Sequence, residues 1–426
     1  MADSASPTRM VPLADHLIER LTALGVRHVF GVPGDFALAL CAKFDASPMT
    51  FVNTCDEQGA GFAADAYARM TGFGVACVTY SVGGLKLANT TGQAFAEESP
   101  VLVISGAPGL AERTRHPLLH HRIHDFDDQL RVFAPLTVAS AALDDPEIAA
   151  REIDRVIGAI QREKRPGYLE IPRDLVDAEI EVHARRPRPA PASDPDILAA
   201  AVAEATARLR RAKRSVAILG LELHRFGLVD LALRLVAKTG MPVAETLMGK
   251  SAIDEDHPQY IGVYSGRMGR ETTRRYVEAS DAILFLGMQM TDLDLGGFTA
   301  HFDPRAAIHA TRDRVAIGYE MFERTLLGDF LAALVASDLP RVEAVDAPYV
   351  PPLAALPEID PATPITVDRL FARIAAILTE QMVVIADPGD ALFAAANLPI
   401  RRGVGFLAPA YYASLGFAVP ASVGVG

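Results

Sequence analysis

Glu57 stands in the run C-D-E-Q-G-A-G-F-A-A-D-A-Y-A-R, residues 55 to 69, where a strand-like stretch gives way to a helix of small residues. In open parallel sheets ligands settle at the carboxyl ends of strands, and a helix N-terminus favours an anion. Two roles therefore fit Glu57: contact with a cofactor, or capping of its own helix. Asp35 closes V-x-x-x-F-G-V-P-G-D just after Gly34, where it could cap a helix or carry a proton. The stretch R-H-P-L-L-H-H-R-I-H-D-F-D-D, residues 115 to 128, holds four histidines and three aspartates. If helical, His116, His120 and His124 would face one metal at four-residue steps, although Pro117 opposes a helix there. A polar surface loop is a second role. An acid/base pair, His120 with His121, is the third, because imidazoles titrate near neutral pH. In Y-S-V-G-G-L-K-L-A-N, residues 80 to 89, Gly83 and Gly84 would let a ligand approach the backbone.

These residues sit between elements that alternate strand and helix. Residues 26–32, 50–55, 75–80 and 100–106 read as strands, and L-A-D-H-L-I-E-R-L-T-A-L at 13–24 as an amphipathic helix. The alternation implies an α/β fold with a doubly wound parallel sheet over residues 9–178. Residues 183–195, rich in proline and arginine, read as a stiff linker rather than a basic docking site. A second α/β domain is expected over 196–340. It has no G-x-G-x-x-G between strand and helix, so the sequence does not support dinucleotide binding there. Another proline-rich linker spans 347–357, and a third α/β segment begins near 362 and runs to 426. A core of about 60 residues is marginal by itself, so the chain is expected to stop inside its third domain.

Composition narrows the partners. The formal net charge of −12 opposes a general nucleic-acid surface. No apolar run of membrane-spanning length is free of charges or breakers, and the N-terminal residues lack a secretory apolar core. Three cysteines, Cys41, Cys55 and Cys77, have no metal-ligand spacing, and their odd number suits a reducing cytoplasm.

Taken in order, G-V-P-G-D, C-D-E-Q-G-A-G-F-A-A-D-A-Y-A-R, V-T-Y-S-V-G-G-L-K-L-A-N, G-A-P and L-L-H-H resemble the thiamine diphosphate-dependent 2-oxo acid decarboxylases. The adjacent histidines point to the pyruvate/indolepyruvate decarboxylase branch. D-P-G-D-A-L-F and L-A-P-A-Y-Y-A-S-L-G-F look most like its phenylpyruvate subgroup. The resemblance implies three successive doubly wound domains: pyrimidine-binding, central Rossmann-like, and diphosphate-binding. It implies that Glu57 bonds the pyrimidine ring of the cofactor and that Asp35, His120 and His121 manage protons and aldehyde release. Pro33, Thr79 and Val82 would line the pyrimidine pocket. Ala413 would offer a carbonyl to the 4′-amino group, Leu415 would wedge the cofactor into its bent shape, and Gly389 and Asp390 would meet the diphosphate. An acid at 390 departs from the hydroxyl residue found in many members.

The same resemblance implies thiamine diphosphate with Mg2+ as cofactors, a small-molecule 2-oxo acid as substrate, and a homodimer or homotetramer. The family's G-D-G and N-N motif, which holds magnesium and diphosphate, would fall beyond Gly426. The metal ligands are therefore expected to be absent from this chain, and the chain by itself inactive. An acetolactate synthase-like carboligase and a non-catalytic remnant or split subunit are the alternatives. The histidine pair speaks against the carboligase.

Overall fold

The structure, a computed structural model, describes residues 8–184, 190–343, 346–348, 350, 362–401 and 403–426. The chain divides into two compact units, Met1–Arg188 with Tyr412–Gly426, and Pro189–Tyr411.

In the first unit six strands form one sheet in the order Thr50–Asn53, His28–Gly31, Gly74–Val78, Val101–Ala107, Gly167–Pro172, Ala139–Ala142. All five pairings are parallel. Gly74–Val78 and Val101–Ala107 are buried along their whole length, as strands covered on both faces must be. The period of two is visible in the packing. Val75, Cys77, Leu102, Ile104, Leu169 and Ile171 join a core with the helices Leu13–Ala23 and Pro146–Glu163. Ala76, Val78, Val101, Val103 and Tyr168 join a different one with the helix Glu57–Thr71. The sheet is thus doubly wound, as the alternation of elements implies.

The helix Glu57–Thr71 can be sandwiched because its residues are small. Asp56 caps its start by accepting from the Gly59 N–H at 2.7 Å. Gly72, at φ +93°, ends it in the left-handed conformation that side chains resist. A Cβ on Gly61 would stand 2.1 Å from Thr90 Oγ1, so the helix Leu87–Ala96 approaches at backbone distance. The helix Ala418–Val425 packs on it in the same way. A Cβ on Gly424 would stand 2.1 Å from the Ala63 carbonyl, and the Phe62 and Phe417 rings meet edge to face at 5.7 Å.

The second unit carries a seven-stranded sheet. Tyr260–Val263, Val243–Glu245, Ser215–Leu219, Ala282–Leu286 and Ala307–Thr311 are parallel, and Arg314–Ile317 and Glu320–Glu323 add antiparallel strands at one edge. Farther along, Val383–Ile385 pairs in parallel with Gly405–Leu407, and their surroundings pack on Leu221, Leu247 and Met248.

The proline-rich stretch 183–195 is more regular at its ends than its composition implies. His183 closes a strand, Glu179–His183, paired antiparallel with Thr8–Pro12. Pro195 opens the helix Pro195–Arg211, where its missing N–H costs nothing. Residues 185–189, and 349 and 351–357 of the second proline-rich stretch, lie outside the described residues. Among the described residues no helix is long and apolar enough to cross a membrane, and Cys41, Cys55 and Cys77 are free thiols.

Candidate active site

Sheet order selects one crevice. From His28–Gly31 the chain crosses to Thr50–Asn53 on one side, and the next strand, Gly74–Val78, pairs on the other side. The carboxyl ends of these neighbours form the switch point at which open α/β sheets receive ligands. Residues 32–35 and 79–82 leave the sheet there. They lie close because glycines permit it: a Cβ on Gly31 would stand 1.9 Å from the Cys77 carbonyl, and one on Gly34 would stand 2.5 Å from Thr79 Cβ.

Asp35 is the centre of a three-residue cluster. Its Oδ2 lies 2.5 Å from His120 Nε2, and its Oδ1 lies 3.9 Å from His121 Nδ1. Thr79 Oγ1 donates to Asp35 Oδ1 at 3.5 Å. The Phe36 ring orients both imidazoles, stacked on His120 at 4.9 Å and edge-on to His121 at 5.7 Å. The Arg173 guanidinium sits 4.9 Å from that ring's centre. Burial is the largest influence on the Asp35 carboxyl and pushes its pKa up. The His120 hydrogen bond, the charges of His120 and His121 and the Phe36 N–H together outweigh it and hold the pKa below the usual carboxylate range. His121 has φ +66°, a conformation costly for a residue with a Cβ and one that clusters at functional sites.

Glu57 is the first residue of its helix and is 8% exposed. The capping role falls to its neighbour Asp56, which frees the Glu57 carboxylate. Lys86 Nζ donates to Glu57 Oε2 at 2.7 Å from a side chain that is half in solvent. The loop from Thr79 to Lys86 therefore touches Asp35 at one end and Glu57 at the other. A carboxylate flanked by two imidazoles can store and pass a proton, and a shielded carboxyl at a helix N-terminus can share a proton with a ring nitrogen.

Two expectations from spacing fail. Residues 114–127 form no helix, so His116, His120 and His124 do not share a helical face, and the metal arrangement built on four-residue steps does not form. Pro117 and the positive φ angles of Arg115 and His116 account for this. Asp35 does not cap the helix Leu38–Asp45, whose cap position is Ala37. Gly83 and Gly84 answer to internal packing. A Cβ on Gly83 would meet the Thr79 carbonyl at 2.9 Å, and one on Gly84 would meet Gln129 Oε1 at 2.1 Å.

Thr79 is buried, whereas Pro33 and Val82 are exposed beside the cluster. Ala413, at φ +59°, and Leu415 flank Ser414, whose Oγ accepts from Asn89 Nδ2 at 2.8 Å. The Tyr412 N–H donates to Glu97 at 2.8 Å. Gly389 and Asp390 are in the second unit, Gly389 at φ +90° capping the short helix Asp390–Ala395.

Lys86, Phe36 and Arg173 were not singled out by sequence reasoning, nor was the buried set Asp65, Arg69 and Glu97. Arg69 grips Asp65 through two hydrogen bonds of 2.8 Å and reaches Glu97 at 2.9 Å. The four-residue step between Asp65 and Arg69 is the signal that could have found it. Among the described residues one group of possible metal ligands assembles, Asp35 with His120 and His121, their ligand atoms within 4.8 Å. Two imidazoles and one carboxylate do not fit magnesium, which takes oxygen ligands.

Residues 12–132 match the model of the thiamine pyrophosphate enzyme N-terminal TPP binding domain, and residues 202–336 match that of the thiamine pyrophosphate enzyme central domain. An indole-3-pyruvate decarboxylase from Azospirillum brasilense is 37% identical over 416 residues, 97% of this chain and 75% of that protein. An alpha-keto-acid decarboxylase from Mycobacterium leprae (strain TN) is 32% identical, over 96% of this chain and 73% of the relative. Pyruvate decarboxylase 1 from Pisum sativum is 33% identical, over 96% and 71%.

Proposed function

The chain belongs to the thiamine pyrophosphate-dependent 2-oxo acid decarboxylases, and from that premise we propose that its substrate is an aryl 2-oxo acid, phenylpyruvate or indolepyruvate, converted to the aldehyde and carbon dioxide. The observation that carries this proposal is the Asp35–His120–His121 cluster at the sheet's switch point. The similarity to a relative named for indole-3-pyruvate supports the aryl substrate.

The crevice fits the pyrimidine end of thiamine diphosphate. Glu57 offers a shielded carboxyl at a helix N-terminus, and Gly31 and Gly34, where a Cβ would strike Cys77 and Thr79, let the two loops of the crevice approach each other. The cofactor supplies an electron sink for the bond that breaks when carbon dioxide leaves. Glu57 would bond a pyrimidine ring nitrogen, exchanging Lys86 for it. Pro33, Thr79 and Val82 would wall the ring, with the Ala413 carbonyl and the Leu415 side chain also assigned to it. Asp35 holds His120 in place, and the pair with His121 would deliver the proton that replaces carbon dioxide and then guide the aldehyde out. Magnesium belongs to the proposal as the diphosphate's cation, and no step depends on it here. The proposed active form is a homo-oligomer, supported by exposed Leu415, Val419 and Val423.

The test is product analysis with phenylpyruvate, indolepyruvate and pyruvate in the presence of thiamine diphosphate and Mg2+, on this chain together with a segment that supplies the G-D-G and N-N motif the resemblance implies. Aldehyde and carbon dioxide from the aryl acids in preference to pyruvate are expected. Acyloin as the main product would make the chain a carboligase, and no turnover of any 2-oxo acid would overturn the proposal.

A further inference from the structure

Glu170 is a charged residue in a strand that is otherwise apolar or aromatic, G-Y-L-E-I-P, and it is 1% exposed. Strand alternation puts it, with Tyr168, on the sheet face that the helix Glu57–Thr71 covers. A chain of hydrogen bonds leads from it to the crevice. Tyr168 Oη donates to Glu170 Oε2 at 2.8 Å. Gln129 Nε2 donates to that same Tyr168 oxygen at 2.5 Å and to Ser105 Oγ at 2.8 Å. Gln129 Oε1 accepts the Ser81 N–H at 2.6 Å.

The direction of every bond follows from its ends. The Ser81 N–H can only donate, so the Gln129 oxygen must face it and its NH2 must face Tyr168. The phenol proton then points to Glu170, which must accept. Ser81 has φ +58°, so the fixed N–H holds a backbone conformation that a serine does not favour unaided. Gln129 reaches the loop only because residue 84 has no Cβ. Tyr168 is itself locked, stacked on Phe133 at 4.4 Å and 8°. The loop so held carries Thr79 against Asp35 and Lys86 against Glu57.

We propose that Glu170 is a positioning residue, acting through Tyr168 and Gln129 to hold the Thr79–Lys86 loop in the shape that receives the cofactor. The claim about the cofactor rests on the function proposed above, whereas the claim about the loop does not. Burial, the largest influence, pushes the Glu170 carboxyl up to about 7 against the Tyr168 bond, the Arg113 guanidinium and the Gln129 contact, with Asp127 adding to the rise. Arg113 lies 3.7 Å from Oε1.

The experiment compares Tyr168→Phe, which keeps the ring stack, and Glu170→Gln, which keeps an acceptor for the phenol, with the unaltered chain. Amide hydrogen exchange of the peptide spanning residues 79–86 is read against the helix Pro146–Glu163, on the opposite sheet face. In Tyr168→Phe loop exchange should rise about fivefold, as for one lost hydrogen bond, with the control helix unchanged. Glu170→Gln should stay within about twofold of the unaltered chain. Unchanged loop exchange in Tyr168→Phe, or equal rises in loop and control helix, would overturn the relay. Glu170→Leu, which removes the acceptor, should repeat the Tyr168→Phe result, and its failure to do so would remove Glu170 from the relay. The dissociation constant for thiamine diphosphate, from near-ultraviolet circular dichroism, should rise alongside. A loosened loop with unchanged affinity would uphold the relay and overturn its link to the cofactor. A parent protein that binds no thiamine diphosphate with the G-D-G and N-N motif supplied would count against the proposed function, while the exchange result still judges the relay.

Discussion

Lys86 Nζ lies 2.7 Å from Glu57 Oε2, and the two residues differ sharply in exposure: the lysine side chain is 54% exposed, the glutamate side chain 10%. The lysine's own pKa is raised, mainly by its hydrogen bond to Glu57. An exposed partner on a shielded carboxylate is easily displaced, because such pairs contribute at most about 1 kcal/mol. Lys86→Met is therefore expected to change the thiamine diphosphate dissociation constant by less than about fivefold. Glu57→Gln is expected to lower kcat by about a hundredfold or more with the fold intact. Titration calorimetry and steady-state rates check both, and retention of most activity in Glu57→Gln would remove Glu57 from its proposed role.

The Asp35 cluster separates orientation from binding. Asp35→Asn keeps the side chain's size and leaves His120 a neutral partner, so circular dichroism and the melting temperature should hardly move. The decarboxylation rate should fall by about a hundredfold or more, chiefly in kcat. A change confined to KM would show that Asp35 only shapes the pocket.

The buried set around Arg69 should govern the stability of the first unit. Arg69 grips Asp65 with two parallel bonds, and Glu97 has its other oxygen on the Tyr412 N–H. For the Asp65 carboxyl, burial raises the pKa and is outweighed by Arg69, which holds it low. Arg69→Met would leave two carboxylates buried without their cation, an expected loss of about 3–5 kcal/mol in urea unfolding. Arg131→Met, at a pairing whose arginine is 60% exposed, is expected to leave the urea midpoint nearly unchanged.

Glu170 should make the first unit less stable as pH rises. Its folded pKa, about 7, is above the ordinary glutamate value of 4.5. Below 4.5 both states are protonated and the full stability is present. Between 4.5 and about 7 the unfolded chain ionises first, and stability falls by roughly 3 kcal/mol over that window. Asp35, with a lowered pKa, acts the other way and gives up stability only as pH falls through its folded value. Urea midpoints measured from pH 4.5 to 8 should decline more steeply for the unaltered chain than for Glu170→Gln. Parallel slopes would show that Glu170 does not titrate in this range.

Much of the first sheet was legible in the sequence. Runs such as V-A-C-V-T-Y and P-V-L-V-I-S-G are mostly apolar without alternation, which is what burial on both faces requires, and the helix after Cys55 announces itself by its small residues. The individual candidates Asp35, Glu57, His120 and His121 were equally legible, because each stands at a break between elements. Local pattern did not reveal which role each takes. Asp56 rather than Glu57 caps the helix, since only the Asp56 side chain folds back onto the Gly59 N–H.

What the sequence by itself determined is therefore the alternation of elements, the motifs at their junctions and, through those motifs, the family. What only the tertiary structure decided is which junctions meet. Asp35 and His120 are 85 residues apart in sequence, Lys86 and Glu57 are 29 apart, and Gln129 and Ser81 are 48 apart. Crossovers between parallel strands, not spacing along the chain, bring them together: sheet order places the ends of His28–Gly31 and Gly74–Val78 side by side. The same holds for Glu170. A lone charge in an apolar strand is visible in the sequence, but the side it faces and the partners it finds depend on strand register and on the helix packed over that face.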